Sequence, residues 1–134
     1  MDARRAAPTA GLVACLLTLV VLAVPYLVAE TPAVNTYYTA GAITPWATGL
    51  FATVGVIVFA AGREERSDPA LVAGVGLVLG ASMMVIAIAW ATTVRVDALG
   101  TDSPLWSYHR WVLSAASALA PVSAGWYTRT LGLL

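Results

Sequence analysis

Four long apolar runs, separated by short polar clusters, divide the chain and cover about residues 10–29, 43–62, 69–94 and 104–133. At about 1.5 Å per residue, an α-helix of about 20 residues spans the roughly 30 Å hydrocarbon core of a bilayer. The pattern therefore predicts an all-α integral membrane protein. We expect a single transmembrane domain over residues 1–134, built as a four-helix bundle with short loops.

Proline marks the starts of three of these helices. Thr44-Pro45, Asp68-Pro69 and Ser103-Pro104 each place an N-cap residue before a proline at the first helical position, where the missing amide proton does no harm. Pro25 and Pro121 lie inside their runs. Each removes a backbone hydrogen bond, so each predicts a bend in its helix.

The first run leaves two interpretations open. It follows Arg4-Arg5, as the apolar region of a cleaved signal peptide follows basic residues, and Val28-Ala29 would allow cleavage. The usual apolar region has only about 7–15 residues, so we favour a first helix that is retained. The residues from about 30 to 42 are then expected to form the longest loop.

Composition supports a protein that faces lipid. Hydrophobic residues make up 60% of the 134 residues and charged residues 10%, and the mean hydropathy is +0.83. The formal net charge is zero, which gives no reason to expect a nucleic-acid partner. The lipid bilayer is the partner that the pattern predicts.

The arginines predict the orientation. One side of the predicted bundle carries Arg4, Arg5, Arg63, Arg66 and Arg129, and the other carries only Arg95 and Arg110. Basic residues accumulate on the cytoplasmic side of membrane proteins. We therefore expect a multi-pass protein of the cell membrane with both termini in the cytoplasm.

Small residues provide surfaces on which these helices can pack. Gly76 and Gly80 form a GxxxG motif, which lets helix backbones approach closely in membranes. It would serve packing within the bundle, which we favour, or dimerisation. The hydroxyls of Thr53, Ser114 and Ser117 could line a polar pore, but bonds to their own helix or to a neighbouring helix are the simpler expectation.

The predicted outer half of the bundle holds most of the aromatic side chains, together with several ionisable ones. Amphipathic rings commonly form a belt at headgroup depth, and this is the simpler interpretation. The alternative is a shallow outward-facing pocket that is walled by rings and holds a few charges. The residues concerned are Tyr26, Tyr37, Tyr38, Trp46, Trp90, Trp106, Tyr108 and Trp111, with Glu30, Arg95, Asp97, Asp102, His109 and Arg110.

His109 and Arg110 are the strongest indication of such a pocket. They lie more than one turn inside the fourth run, and ionisable groups at that depth usually face protein or water. The alternative is a structural clamp in which the arginine reaches the membrane interface. The candidate ligand-binding residues are Glu30, Arg95, Trp106, His109 and Arg110.

Patterns that carry catalysis or metal binding are missing from the sequence. A lone histidine with scattered acids lacks the paired spacing of a metal site. We find no Ser-His-Asp arrangement, phosphate loop or dinucleotide fingerprint, and no acid at the centre of a run, where a proton-coupled exporter would need one. Cys15 is expected to be a buried structural thiol. We expect no enzyme, no metal and no cofactor.

A short charged turn, Gly-Arg-Glu-Glu-Arg-Ser-Asp-Pro at 62–69, lies between runs rich in alanine, valine and glycine, and arginine replaces lysine throughout. In these features the chain resembles uncharacterised small four-helix membrane proteins of haloarchaea. The resemblance implies the four-helix fold and brings no assigned activity and no functional residue.

These patterns favour a non-enzymatic protein, either structural or an accessory subunit of a membrane complex. Its partners would then be other membrane subunits or further copies of the chain. The alternative is a small transporter or ligand-binding membrane protein with an outward-facing pocket around Arg95, His109 and Arg110.

Overall fold

The computed structural model of the protein describes residues 3–28, 31–39, 43–94 and 104–133. Over these ranges the chain forms five helices: α1 (Ala3–Val28), α2 (Thr31–Thr39), α3 (Trp46–Arg63), α4 (Pro69–Thr93) and α5 (Pro104–Thr130). The all-α prediction is confirmed. Helices α1, α3 and α4 are long and apolar enough to cross a membrane. Helix α5 is as long, with 27 residues, but carries more hydroxyl side chains.

The four long helices form a ring. Helix α1 packs against α3 and α5, and α4 packs against the same two helices. A tight turn joins α3 to α4, and the Nε of Arg63 donates a hydrogen bond to the Oγ1 of Thr9 at 3.0 Å. This bond brings the end of α3 back to the start of α1, so successive long helices run antiparallel.

Three layers of buried side chains stack along the ring. The layer that we call the aromatic end contains Val21, Leu22, Val34, Tyr37, Tyr38, Trp90, Val94, Leu113 and Ala116. A middle layer surrounds Phe59 and Met83, and a third layer contains Ala7, Val72, Ala73 and Tyr127. We call the third layer's end of the bundle the arginine end, because Arg4, Arg5, Arg63, Arg66 and Arg129 lie at or beside the helix termini there.

The prediction of a loop from about residue 30 to 42 is wrong for residues 31–39, which form α2. The side chains of Val34, Tyr37 and Tyr38 are fully buried against the bundle. Their spacing of three and four residues places them on one face of a helix. So short a helix is marginal alone, and this buried face is what stabilises it.

Two of the proline-marked starts are as predicted. Helix α4 begins at Pro69, and the side chain of Asp68 accepts a hydrogen bond from the Ala70 amide at 3.2 Å. Helix α5 begins at Pro104, while Ser103 lies outside the described residues.

The starts of the other two long helices, α3 and α1, differ from the prediction. Helix α3 begins at Trp46, one residue later than expected, and the Thr44 Oγ1 accepts a hydrogen bond from the Trp46 amide at 3.3 Å. Helix α1 begins at Ala3 rather than near residue 10. Its first residues include alanine and arginine, which favour helix, so the helix extends beyond the apolar run.

Candidate functional site

Pro25 creates the first polar contact of the aromatic end. In an α-helix each carbonyl accepts a hydrogen bond from the amide four residues later, and proline has no amide proton to donate. The Val21 carbonyl of α1 therefore lacks the usual donor from position 25. The Nε2 nitrogen of His109, from α5, lies 2.6 Å from that carbonyl oxygen and satisfies it.

His109 joins three helices through its two ring nitrogens. Its side chain is only 5% exposed. Because a carbonyl oxygen can only accept, Nε2 carries the proton, and in the neutral ring Nδ1 is an acceptor. The Tyr37 hydroxyl of α2 lies 2.9 Å from Nδ1 and donates to it. A directed chain therefore runs from Tyr37 through His109 to the Val21 carbonyl.

Tyr38 makes a similar contact to the same part of α1. Its hydroxyl donates a hydrogen bond to the Leu22 carbonyl. Burial raises the pKa of both Tyr37 and Tyr38 well above the usual range for phenols. Both tyrosines of α2 therefore stay protonated and act as donors, and they attach α2 to the ring of long helices.

The rings around this histidine form one contiguous cluster. The Tyr37 ring centroid lies 4.8 Å from that of Trp90 and 5.3 Å from that of Tyr38. The Tyr38 centroid lies 5.7 Å from that of Trp46. These separations, and the edge-on angle of 71° in the Tyr37–Trp90 and Tyr38–Trp46 pairs, are those that aromatic pairs prefer. Tyr26 extends the cluster, with its centroid 5.9 Å from that of Trp46.

Arg110, the next residue along α5, points to a different part of the bundle. Its guanidinium donates a hydrogen bond to the Ala91 carbonyl of α4 at 3.2 Å, and its Cζ lies 5.5 Å from the Trp111 ring centroid. Two buried donors, the Arg110 Nε and the Trp90 Nε1, have no hydrogen-bond partner among the described residues.

The candidate ligand-binding residues are only partly brought together. His109 contacts α1 and α2, whereas Arg110 contacts α4. Glu30 and Arg95 lie outside the described residues, and for Trp106 the structure describes the helical backbone alone. The proposed pocket around these five residues therefore stays a prediction.

The helix-packing residues lie at buried contacts. Gly76 faces the Phe59 ring, and Gly80 faces α5. The Oγ of Ser114 donates to the Arg110 carbonyl at 2.9 Å, whereas the buried Oγ of Ser117 has no partner among the described residues. The hydroxyl of Thr53 likewise donates to a carbonyl of its own helix.

Sequence reasoning missed the centre of this site. The belt interpretation is wrong for Tyr37, Tyr38 and Trp90, whose side chains have 0% exposure. The signal that could have found it is Pro25, because a proline within a buried helix leaves a carbonyl that needs a donor from elsewhere. The sequence offers few strong donors at that depth, and His109 is one of them.

No three His, Cys, Asp or Glu side chains come together as a metal site would require, within the described residues. Cys15 is buried in the middle layer. The aromatic end is thus built from hydrogen bonds and ring contacts, with one imidazole at its centre.

Comparisons with known proteins show one relationship. No curated protein and no solved structure matches the chain. One protein family does match, over residues 1–132, and its description names no activity. The likeness to haloarchaeal membrane proteins therefore stays a prediction. Because the match covers almost the whole chain, the protein belongs to DUF7548, a family of unknown function.

Proposed function

We propose that the chain crosses the cell membrane four times, as α1, α3, α4 and α5, with both termini in the cytoplasm. The accumulation of Arg4, Arg5, Arg63, Arg66 and Arg129 at the arginine end supports this orientation. Large apolar side chains on the outside of the ring support lipid contact, among them Val78 at 66% and Val122 at 67% exposure. So much exposed apolar surface would be unfavourable in water.

The protein acts, we propose further, as a non-enzymatic membrane component, either structural or an accessory subunit of a larger complex. The observation that carries this proposal is the engagement of His109, whose two ring nitrogens are both hydrogen-bonded between helices. A general base needs a ring nitrogen within reach of a substrate proton. Here that nitrogen already accepts a hydrogen bond from the Tyr37 hydroxyl, so it is out of reach of a substrate proton, and the histidine attaches α2 to the bundle.

The second candidate is a small transporter or ligand-binding protein with an outward-facing site around Arg95, His109 and Arg110. One observation favours it: the buried donors Trp90 Nε1 and Arg110 Nε lack partners among the described residues, and a ligand oxygen could accept from them. It has less support, because His109 and Arg110 point to different helices.

Co-purification tests the subunit proposal. The tagged chain would be extracted from its native membrane in a mild detergent, and its mass measured by light scattering against the 13.9 kDa of one chain. We expect a stoichiometric partner or a homo-oligomer. Val78→Trp on α4 and Val122→Trp on α5 are matched variants of two exposed faces, and the one that removes the partner locates the interface. A strictly monomeric chain without a partner would contradict the proposal.

Reporter fusions test the orientation. A reporter active only in the cytoplasm should be active at the N-terminus, at the C-terminus and in the α3–α4 turn, and inactive within α2. Activity at only one terminus would rule out four crossings, and activity in α2 alone would reverse the orientation.

A further inference from the structure

Tyr37 has a proton acceptor in place. Its hydroxyl lies 2.9 Å from the Nδ1 nitrogen of His109, within the range in which a positioned base takes up a proton. The opposite ring nitrogen keeps its own bond to the Val21 carbonyl, at 2.6 Å, whether or not Nδ1 is protonated. The imidazole can therefore receive the phenolic proton without moving.

Tyr38 provides a contrast within the same cluster. It is buried as completely as Tyr37, but its hydroxyl donates to the Leu22 carbonyl. An amide carbonyl is far too weak a base to take up a phenolic proton. Of these two neighbouring phenols, only Tyr37 can lose an electron and a proton together to a ready acceptor.

A path of rings connects Tyr37 to the surface. The Tyr37 and Tyr38 centroids lie 5.3 Å apart, and the Tyr38 and Trp46 centroids 5.7 Å apart. Trp46 is 49% exposed at the start of α3, where a membrane-spanning helix meets the interface. Rings this close to one another are electronically coupled, so an electron can tunnel from Tyr37 to an oxidised Trp46 without Tyr38 being oxidised. A reactant at the surface therefore has access to the buried tyrosine.

We propose that the Tyr37–His109 pair is a one-electron donor, oxidised through Trp46 by an oxidising radical from the water phase. The radical gains one electron and leaves as its anion. The O–H bond of Tyr37 breaks, its proton forms an N–H bond at Nδ1 of His109, and a neutral tyrosyl radical remains. Charge balances, because the new anion is matched by the imidazolium. This proposal is independent of the subunit role.

Flash-quench oxidation tests it. The whole chain in lipid nanodiscs, carrying Tyr108→Phe to remove a 72% exposed tyrosine, would be oxidised by photogenerated tris(bipyridine)ruthenium(III). Radicals would be identified by electron paramagnetic resonance. We expect a tyrosyl signal that Tyr37→Phe abolishes and that Tyr127→Phe, a buried tyrosine of the arginine end, leaves unchanged.

His109→Gln is the decisive variant. Glutamine can accept from Tyr37 and donate to Val21, but its amide is not a base. The tyrosyl yield should fall by about tenfold or more, with helix content unchanged by circular dichroism. Trp46→Phe, which leaves the Tyr37–His109 bond alone, should also lower the yield. An unchanged yield in either folded variant, or a signal that survives Tyr37→Phe, would overturn the proposal.

Discussion

Gly80 and Pro121 bring the backbones of α4 and α5 into direct contact. A β-carbon at Gly80 would lie 2.6 Å from the Pro121 nitrogen, closer than real contacts allow. The second glycine of the GxxxG motif is therefore used within one chain, and its neighbour in space is the proline that was expected to bend α5. Close backbone approach is how small residues stabilise helix pairs in membranes.

Gly80→Ala should destabilise the protein by about 1–3 kcal/mol, because the added methyl group meets main chain that cannot rotate away. The matched control is Gly74→Ala on the same helix, where an added β-carbon meets nothing within 4 Å. That control should be neutral or stabilising by up to about 1 kcal/mol, since alanine is the better helix former. Thermal unfolding in detergent measures both, and equal effects would contradict the contact.

Pro25→Ala should disconnect His109 from α1. Alanine at position 25 supplies the amide that the Val21 carbonyl lacks, and this bond competes with the His109 Nε2 donor. In ¹⁵N-histidine NMR of the chain in nanodiscs, we expect the wild type to show the neutral ring with its proton on Nε2. The variant should no longer show this one tautomer alone.

The control for this experiment is Pro121→Ala. It restores an amide in α5, at the level of the middle layer, and should leave the His109 resonances as they are. A wild-type ring protonated on Nδ1 alone would contradict the directed chain from Tyr37 to Val21.

His109→Ala should destabilise the protein by about 2–4 kcal/mol, because it leaves the Tyr37 hydroxyl and the Val21 carbonyl buried without partners. His109→Gln should lose much less stability, since glutamine can form hydrogen bonds to both Tyr37 and Val21. Tyr108→Ala, at a 72% exposed neighbour, should cost little. Unfolding midpoints compare the three, and a His109→Ala variant as stable as Tyr108→Ala would show that the contact contributes nothing.

Glu65→Gly should stabilise the protein. Glu65 has a φ of 57° just after α3, and the Arg66 amide donates to the Ala61 carbonyl at 2.9 Å, as in a Schellman motif. A side chain in this left-handed conformation costs about 1–2 kcal/mol, which glycine avoids. Glu65→Ala removes the same charge but keeps the strain, so a gain in both variants would assign the effect to charge.

Some of the fold could be predicted from local rules. The start of α4 follows from Asp68-Pro69 alone, because an N-cap acceptor and a proline act within one turn. The fate of residues 31–39 could not. They lie between two apolar runs and were therefore expected to form a loop. The helix forms because Val34, Tyr37 and Tyr38 pack against a buried surface that distant residues provide.

The same distinction holds for the site. That His109 would face protein or water followed from its depth in the fourth run, but its burial and its partners did not. Tyr37 and Val21 lie 72 and 88 positions away, and no local pattern encodes such a contact. Arg110, adjacent in sequence, faces a different helix, because successive residues of a helix point about 100° apart.

The sequence by itself determined the long helices, their apolar character and the arginine distribution, since each depends on composition and on spacing within one segment. The tertiary structure alone decided that α2 folds into the bundle and that Gly80 meets Pro121. It also decided that His109 donates a hydrogen bond to the Val21 carbonyl, which Pro25 leaves without its usual donor. These contacts depend on which helices are neighbours. That choice is made by the whole set of packed side chains and buried hydrogen bonds.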